Sequence, residues 1–490
     1  MTRPDYELLI RNVRVVRPHG NAVHEADIAI AAGKVARVAP AIDPARAVEV
    51  FDGRGRLAFP GVVDAHMHSG IYAPLEEDAV SESRAAAMGG VTSSLNYFRT
   101  GQYYLNKGGR YGRFFPEVLR TSKGRFHVDY GYHLAPMDRA HIEEIPMLIE
   151  KHGVASFKIF MFYGSHGLHG ASDTQRQFLM IGEDERYDYA HFEFVMRGIQ
   201  AAREKMPERA RQISLSLHCE TAEIMTAYTK IVERDRSMKG LAAYSAARPQ
   251  HSEGLAVFVA SYLAHETALP NINLLHLSSR KAVQAALMMA DVFPHIDFRR
   301  EVTIGHLMLD VTSKAAELAK VNPPIRPRED VEFLWEALLG GELDWVVSDH
   351  ACCRQEMKIP KHYFGNIWMA KSGFGGTEYL LPALVSEGTR RGMSYNHMAR
   401  VTSWNPAQRF GLNRKGDIAE GFDADIALVD PARSWVIAAK DSPSTQGYTP
   451  FEGLEMSARV DATFLRGMKI FEDGQVIGKP RGEYLHRPTA

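Results

Sequence analysis

Between Pro60 and Gly411 the chain repeats one pattern: a short apolar run, then a stretch with helical spacing, then another apolar run. Eight such runs can be placed: FPGVVDAHMH, GVTSSLNYF, HVDYGYHLA, VASFKIFMF, SLSLHCE, INLLHLSS, VTIGHL and DWVVSDHA. Apolar runs of this length suit strands buried on both faces, and their alternation with helices is the mark of repeated βα units. Eight units predict an α/β fold built on a closed (β/α)8 barrel. The intervening segments AHIEEIPMLIEKHG, YAHFEFVMRGIQAAREKM, EGLAVFVASYLAHE, KAVQAALMMADVF and VEFLWEALLGGE carry apolar residues at helical spacing, as helices packed on a barrel require.

The two ends read differently. LIRNVRVVRP, ADIAIAAGKVARVAP and AVEVFDGRGRLAFP are β-branched runs cut by Gly and Pro, and KGDIAEGFDADIALVD and VDATFLRGMKIFEDGQVIG repeat that character after Gly411. Residues 1–58 and 411–490 are therefore expected to form one small β-sandwich domain flanking a barrel of residues 59–410. Two stretches exceed what a minimal barrel needs, and residues 99–116 and 164–187 within them are expected as long loops over the catalytic mouth.

Charge narrows the function. With 58 basic and 59 acidic residues the net charge is -1, which leaves no electrostatic footprint for nucleic acid or an anionic membrane. No apolar run approaches the roughly 18 residues needed to span a bilayer. The opening MTRPDYELLI lacks the long apolar stretch of a signal peptide, and the three cysteines, Cys219, Cys352 and Cys353, cannot form a disulfide framework. A cytoplasmic protein acting on a small molecule is expected.

The chemistry gathers at strand ends. His66 and His68 lie two apart in DAHMHSG, so both imidazoles point to one face and can share a metal. His218 in SLSLHCE, His276 in NLLHLSS and Asp349 in VVSDHA also end apolar runs, where barrel enzymes keep their active sites. Any one of them alone could be a buried residue satisfied by hydrogen bonds; together they point to a metal centre. Lys158 in SFKIFMFYG is the odd residue of a buried strand. An ammonium there is costly and would be repelled by metal cations, whereas a neutral amine can add carbon dioxide to become a carbamate whose two oxygens bridge two metals. The competing reading is a lysine that snorkels to the barrel mouth.

These motifs, with AARPQHSE, VNPPIRPREDVEFLWEALLGGELDWVVSDHA, SWNPAQRFGL and YTPFEG, resemble the dihydropyrimidinase and D-hydantoinase branch of the amidohydrolase superfamily across nearly the whole chain. The resemblance implies that His66 and His68 hold the more buried metal with Asp349, that His218 and His276 hold the second, and that carboxylated Lys158 bridges them. The cofactor would be two divalent ions, zinc first, with manganese or cobalt also suited. A hydroxide between the metals would attack, Asp349 would carry its proton to the leaving nitrogen, and Tyr163, five residues after Lys158, would donate to the oxyanion.

The implied substrate is a cyclic amide or ureide of hydantoin or dihydropyrimidine type; the implied assembly is a homo-oligomer, often a tetramer. Departures from the family pattern bear on the substrate: Asn322 stands where serine usually meets the ring amide, and KSGFGGTEY replaces an Asn-Gly segment. A relative acting on a bulkier lactam, cyclic imide or aryl amide is the alternative. The competing class is a non-catalytic scaffold of the same fold; such relatives have typically lost metal ligands, whereas all six positions are filled here. His350 and Cys219 read as structural, and His166 and His169 as polar loop residues within reach of substrate.

Overall fold

One sheet of parallel strands closes on itself to make the barrel. The computed structural model describes residues 4–104, 106–163, 166–168, 178–235 and 237–489. In chain order the barrel strands are Val62–His68, Val91–Phe98, Asp129–Leu134, Ser156–Phe160, Ser214–His218, Asn271–Leu274, Asp297–Thr303, and then Trp345–Val347 and His350–Ala351. The last two are one strand interrupted at Ser348 and Asp349. Its second piece closes the barrel against the first strand, with His350 opposite Met67 and Ala351 opposite His68. Every residue of the first five strands is buried, because helices cover the outer face and side chains fill the inside.

The expected seventh strand, VTIGHL, is displaced. The strand runs from Asp297 to Thr303, and Ile304–Met308 is a short helix capped by the Thr303 side chain, which accepts from the His306 amide. Its first half is polar because Arg299 and Arg300 pair with Asp344, so hydrophobicity alone starts it too late. The expected loop over 99–116 also differs, since a helix spans Tyr111–Ser122 and buries Tyr111, Phe114, Phe115, Val118 and Ser122 on one face. The signal was hidden because the cap is not local: Glu144, on the following helix Arg139–His152, accepts from the amides of Tyr111 and Gly112 at 2.7 and 3.0 Å.

Strands from both chain ends weave a second, nine-stranded sheet. The ends meet where Leu57–Pro60 pairs antiparallel with Ile426–Asp430, Ala58 lying opposite Leu428. Leu8, Ile10, Ile28, Ile426, Leu428 and Phe464 fill the core of this domain. Beyond its last strand the chain returns to the barrel, where the Leu485 amide donates to the Tyr130 carbonyl and Arg487 donates to Ser156 Oγ at 2.7 Å.

A buried ion cluster joins this sheet to the barrel. Lys415 Nζ donates to Asp129 Oδ2 at 2.9 Å and Asp425 Oδ2 at 2.6 Å, and Arg466 adds a second cation to Asp129. Burial pushes the Lys415 ammonium toward neutrality, but Asp129 and Asp425 hold it charged. Removing the lysine takes from Asp425 its cation and leaves Asp129 with Arg466 alone, so Lys415→Met should lower stability by about 3–5 kcal/mol, read from the urea midpoint. A loss below about 1 kcal/mol, the range of an exposed pair, would contradict this account.

Candidate metal centre

All six residues predicted as ligands converge at the C-terminal end of the barrel strands. His66 and His68 alternate with Met67 on the first strand, so both imidazoles face inward. Their Nε2 atoms lie 2.9 and 3.2 Å from Asp349 Oδ1. Lys158 Nζ lies 2.5 Å from His66 Nε2 and 3.4 Å from His68 Nε2. His276 continues the cluster, its ring centroid 5.4 Å from His66 and 4.3 Å from His218.

The backbone is bent to aim these groups. Asp349 and His276 have φ of 52° and 33°, a left-handed region that residues with side chains enter rarely and that recurs at functional sites. At Asp349 this turn interrupts the eighth strand and swings the carboxylate toward the two histidines. His350 points elsewhere: its Nε2 donates to Glu82 at 2.8 Å and its Nδ1 accepts from the Gly376 amide.

Unmet hydrogen-bonding capacity shows what the cluster is fitted to hold. Among the described residues, the Nδ1 atoms of His218 and His276 are buried without a hydrogen-bond partner. Such orphans are uncommon in protein interiors, and a buried imidazole lone pair facing other nitrogen and oxygen donors suits a divalent metal. The mixed donor set fits zinc, manganese or cobalt. Asp78, Glu82 and Cys352 also cluster, but the Glu82 oxygens are taken by His350, Ser444 and Thr445.

An outer ring of side chains holds the four histidines. Glu301, buried at the end of the seventh strand, accepts from His66 Nδ1 at 2.7 Å, from the His276 amide at 3.1 Å and from Trp345 Nε1 at 2.9 Å. Glu220 accepts from His218 Nε2 at 2.6 Å and from both arms of Arg248. Burial would raise the Glu220 carboxyl, yet Arg248 and His218 hold it below the usual range. His68 Nδ1 lies 2.8 Å from the Tyr104 hydroxyl. Sequence reasoning missed Glu301 because its strand starts on charged residues; a lone acid near the end of a barrel strand was the available signal. Glu220 stood in view in LHCE, two residues from His218 on the same face.

Lys158 is prepared to lose its proton. Burial pushes its amine down to about 8, against the pull of Asp349 and Glu301.

The cluster opens into a pocket lined by His68, Tyr104, Lys158, Tyr163, Asn322 and Asp349 among others. Tyr163 stacks on Phe160 at 4.5 Å, and burial raises its phenol to about 12 while Arg99 pulls it back. The Asn322 side chain is committed to the wall: Oδ1 accepts from the Tyr244 hydroxyl at 2.5 Å and Nδ2 donates to the Leu168 carbonyl at 2.7 Å. His166 is buried with Nδ1 3.2 Å from Thr226 Oγ1; His169 and residues 164, 165 and 170–177 of the predicted insertion lie outside the described residues. Cys219 is buried beside His218 with its thiol toward the Leu217 carbonyl. Among the described residues, no helix is long and apolar enough to cross a membrane.

Comparison with known proteins extends this geometry. The chain is 32% identical over 488 residues to an allantoinase of Rubrobacter xylanophilus, covering 98% of this chain and 97% of that one. Its structure is similar to dihydropyrimidinase from Brevibacillus agri, with a TM-score of 0.82 at 25% identity over 98% of each chain. D-Hydantoinase from Bacillus sp. AR9 gives 0.83 at 25% identity over 99% of each. Residues 57–470, from the strand that enters the barrel to the last strands of the small domain, match the amidohydrolase family, and the chain belongs to it.

Proposed function

We propose that the protein is a binuclear metal-dependent hydrolase that opens a small cyclic amide or ureide ring of the hydantoin or dihydropyrimidine type. The observation that carries this reading is the convergence of six donors, five of them lining one pocket, with two buried imidazole nitrogens left without partners among the described residues. His66, His68 and Asp349 would hold one ion, His218 and His276 the other, and Lys158 as a carbamate would bridge them. The carbamate forms when the neutral amine bonds to the carbon of carbon dioxide and releases a proton. Bound divalent ions, zinc or else manganese or cobalt, supply a hydroxide at neutral pH and polarise the substrate carbonyl.

The chain supplies the rest. Asp349 receives the proton of the attacking water and delivers it to the ring nitrogen, since an amide nitrogen leaves poorly unprotonated. Tyr163 keeps its proton at neutral pH and donates to the carbonyl oxygen as charge gathers there. Substrate size follows from the pocket walls, where the bulky side chains of Tyr72, Tyr104, Phe160, Tyr163 and Leu168 crowd the space beside the donors. With Asn322 fixed in its wall, one small ring fits better than a bulky aryl amide. Relatives named for allantoin, hydantoin and dihydropyrimidine chemistry support a cyclic ureide.

Three measurements test this. Zinc- or manganese-loaded protein should open hydantoin, allantoin or dihydrouracil faster than phthalimide or a lactam, and a chelator should remove at least about 99% of the activity until metal returns. Fewer than one metal per chain in active protein would falsify the assignment. Lys158→Ala should lose about a thousandfold in kcat/KM together with the bridging group, whose labelled carbon should be visible by NMR after exchange with carbon-13 bicarbonate in the parent protein alone. An unlabelled parent enzyme with full activity excludes the carbamate. Glu301→Gln should weaken metal affinity by about 10–100-fold, measured by competition with a chelating dye, and unchanged affinity would make Glu301 a mere strand contact.

A further inference from the structure

Arg99 follows directly on the second barrel strand and is 1% exposed. Its Nη1 donates to the Thr100 carbonyl at 2.7 Å, while among the described residues Nε and Nη2 have no well-aligned acceptor, the Tyr163 hydroxyl being the polar group beside the guanidinium. Among the described residues no carboxylate forms an ion pair with it. A guanidinium cannot escape burial by losing its proton, so the charge persists in the interior. Aromatic faces surround it: Cζ lies 4.4 Å from the Phe178 ring centroid, 5.3 Å from Tyr163 and 5.5 Å from Tyr104. Their π-systems offset part of the cost of burial, far less than a carboxylate would.

The location explains why such a charge is kept. Tyr163 and Tyr104 line the pocket and Arg99 does not, so a substrate meets the phenols and not the guanidinium. The positive charge therefore acts through the phenols, over a distance at which it is strongly felt in a dry interior. It opposes the effect of burial on the Tyr163 hydroxyl, which makes that hydroxyl a better donor. A carboxylate partner would cancel this effect.

We propose that Arg99 is a positioning residue for ring opening: its unpaired charge, held behind Tyr163, strengthens the phenol as a hydrogen-bond donor to the carbonyl oxygen while that oxygen gains negative charge. The inference rests on the role given to Tyr163 above. It differs from anion recognition, since a buried cation outside the pocket wall contributes little to ground-state binding. Its effect belongs in kcat and not in KM.

A double-mutant cycle tests it, with zinc-loaded enzyme and hydantoin, or allantoin if that is turned over faster. Arg99→Met should lower kcat about thirtyfold with KM within about threefold, and should change kcat less than about threefold when Tyr163 is already Phe. Arg99→Lys keeps a buried cation and serves if Arg99→Met does not fold; its expected factor is about fivefold with Tyr163 and none without. Equal factors in the two backgrounds, or an effect confined to KM, overturn the role of Arg99. The Tyr163→Phe enzyme separates the two readings: if it alone retains full kcat, the oxyanion assignment of Tyr163 fails and the inference with it. If it is slowed but the Arg99 effects are independent of it, only the inference fails.

Discussion

The barrel closes through a strand that is not allowed to remain one. Asp64, buried inside the first strand, accepts from the Ser348 amide at 3.1 Å, from Ser348 Oγ and from Thr377 Oγ1 at 2.7 Å. That carboxylate pins the eighth strand to the first just before the left-handed residue Asp349. Pairing resumes at His350, which Glu82 and the Gly376 amide hold away from the site. With both sides of Asp349 anchored, the strain at that residue has nowhere to relax, and its carboxylate is delivered to His66 and His68. Closure of the fold and assembly of the site are thus one event.

The same economy governs the histidines. Each of the inner imidazoles with a partner on one nitrogen has it in a fixed group: Glu301 for His66, Tyr104 for His68, Glu220 for His218. These contacts fix ring orientation and leave the other nitrogen facing inward, as a metal ligand requires. Glu301 also accepts from the His276 amide and from Trp345, so one carboxylate ties the first, sixth, seventh and eighth strands around the site. Arg248 in turn keeps Glu220 ionised despite its burial.

Much of this was legible in the sequence, for physical reasons. Strands buried on both faces have to be apolar, so a histidine, lysine or aspartate at the end of one stands out, as His218, Lys158 and Asp349 do. The resemblance of SFKIFMFY and SDHA to a known family then ordered those residues into a site. What stayed hidden depends on contacts distant in the chain. The helix Tyr111–Ser122 is capped by Glu144, over thirty residues away, and no local pattern announces it. The seventh strand opens on arginines whose partner is Asp344, so its polarity disguises it and Glu301 with it. The commitment of Asn322 to Tyr244 and Leu168 could not be read from a residue type that hydrogen-bonds anywhere.

The buried cations show how the molecule divides stability from chemistry. Lys415 sits between Asp129 and Asp425, Arg248 on Glu220 and Arg326 on Glu253, each with a carboxylate within hydrogen-bonding distance. Lys358 has no carboxylate partner among the described residues but donates to the carbonyls of Lys320 and Gly373, and burial brings it down to about 7. Lys158 and Arg99 are compensated differently: the first has imidazoles and aromatic rings at hand, the second a single carbonyl and three rings. Lys158 lies within the fourth barrel strand and lines the pocket, and Arg99 follows the second strand, behind the pocket's Tyr163. A lysine in such a place can abandon its charge and become the anion that metals require, whereas an arginine cannot. Beside the pocket, therefore, the described residues keep one group that can change sign and one that cannot.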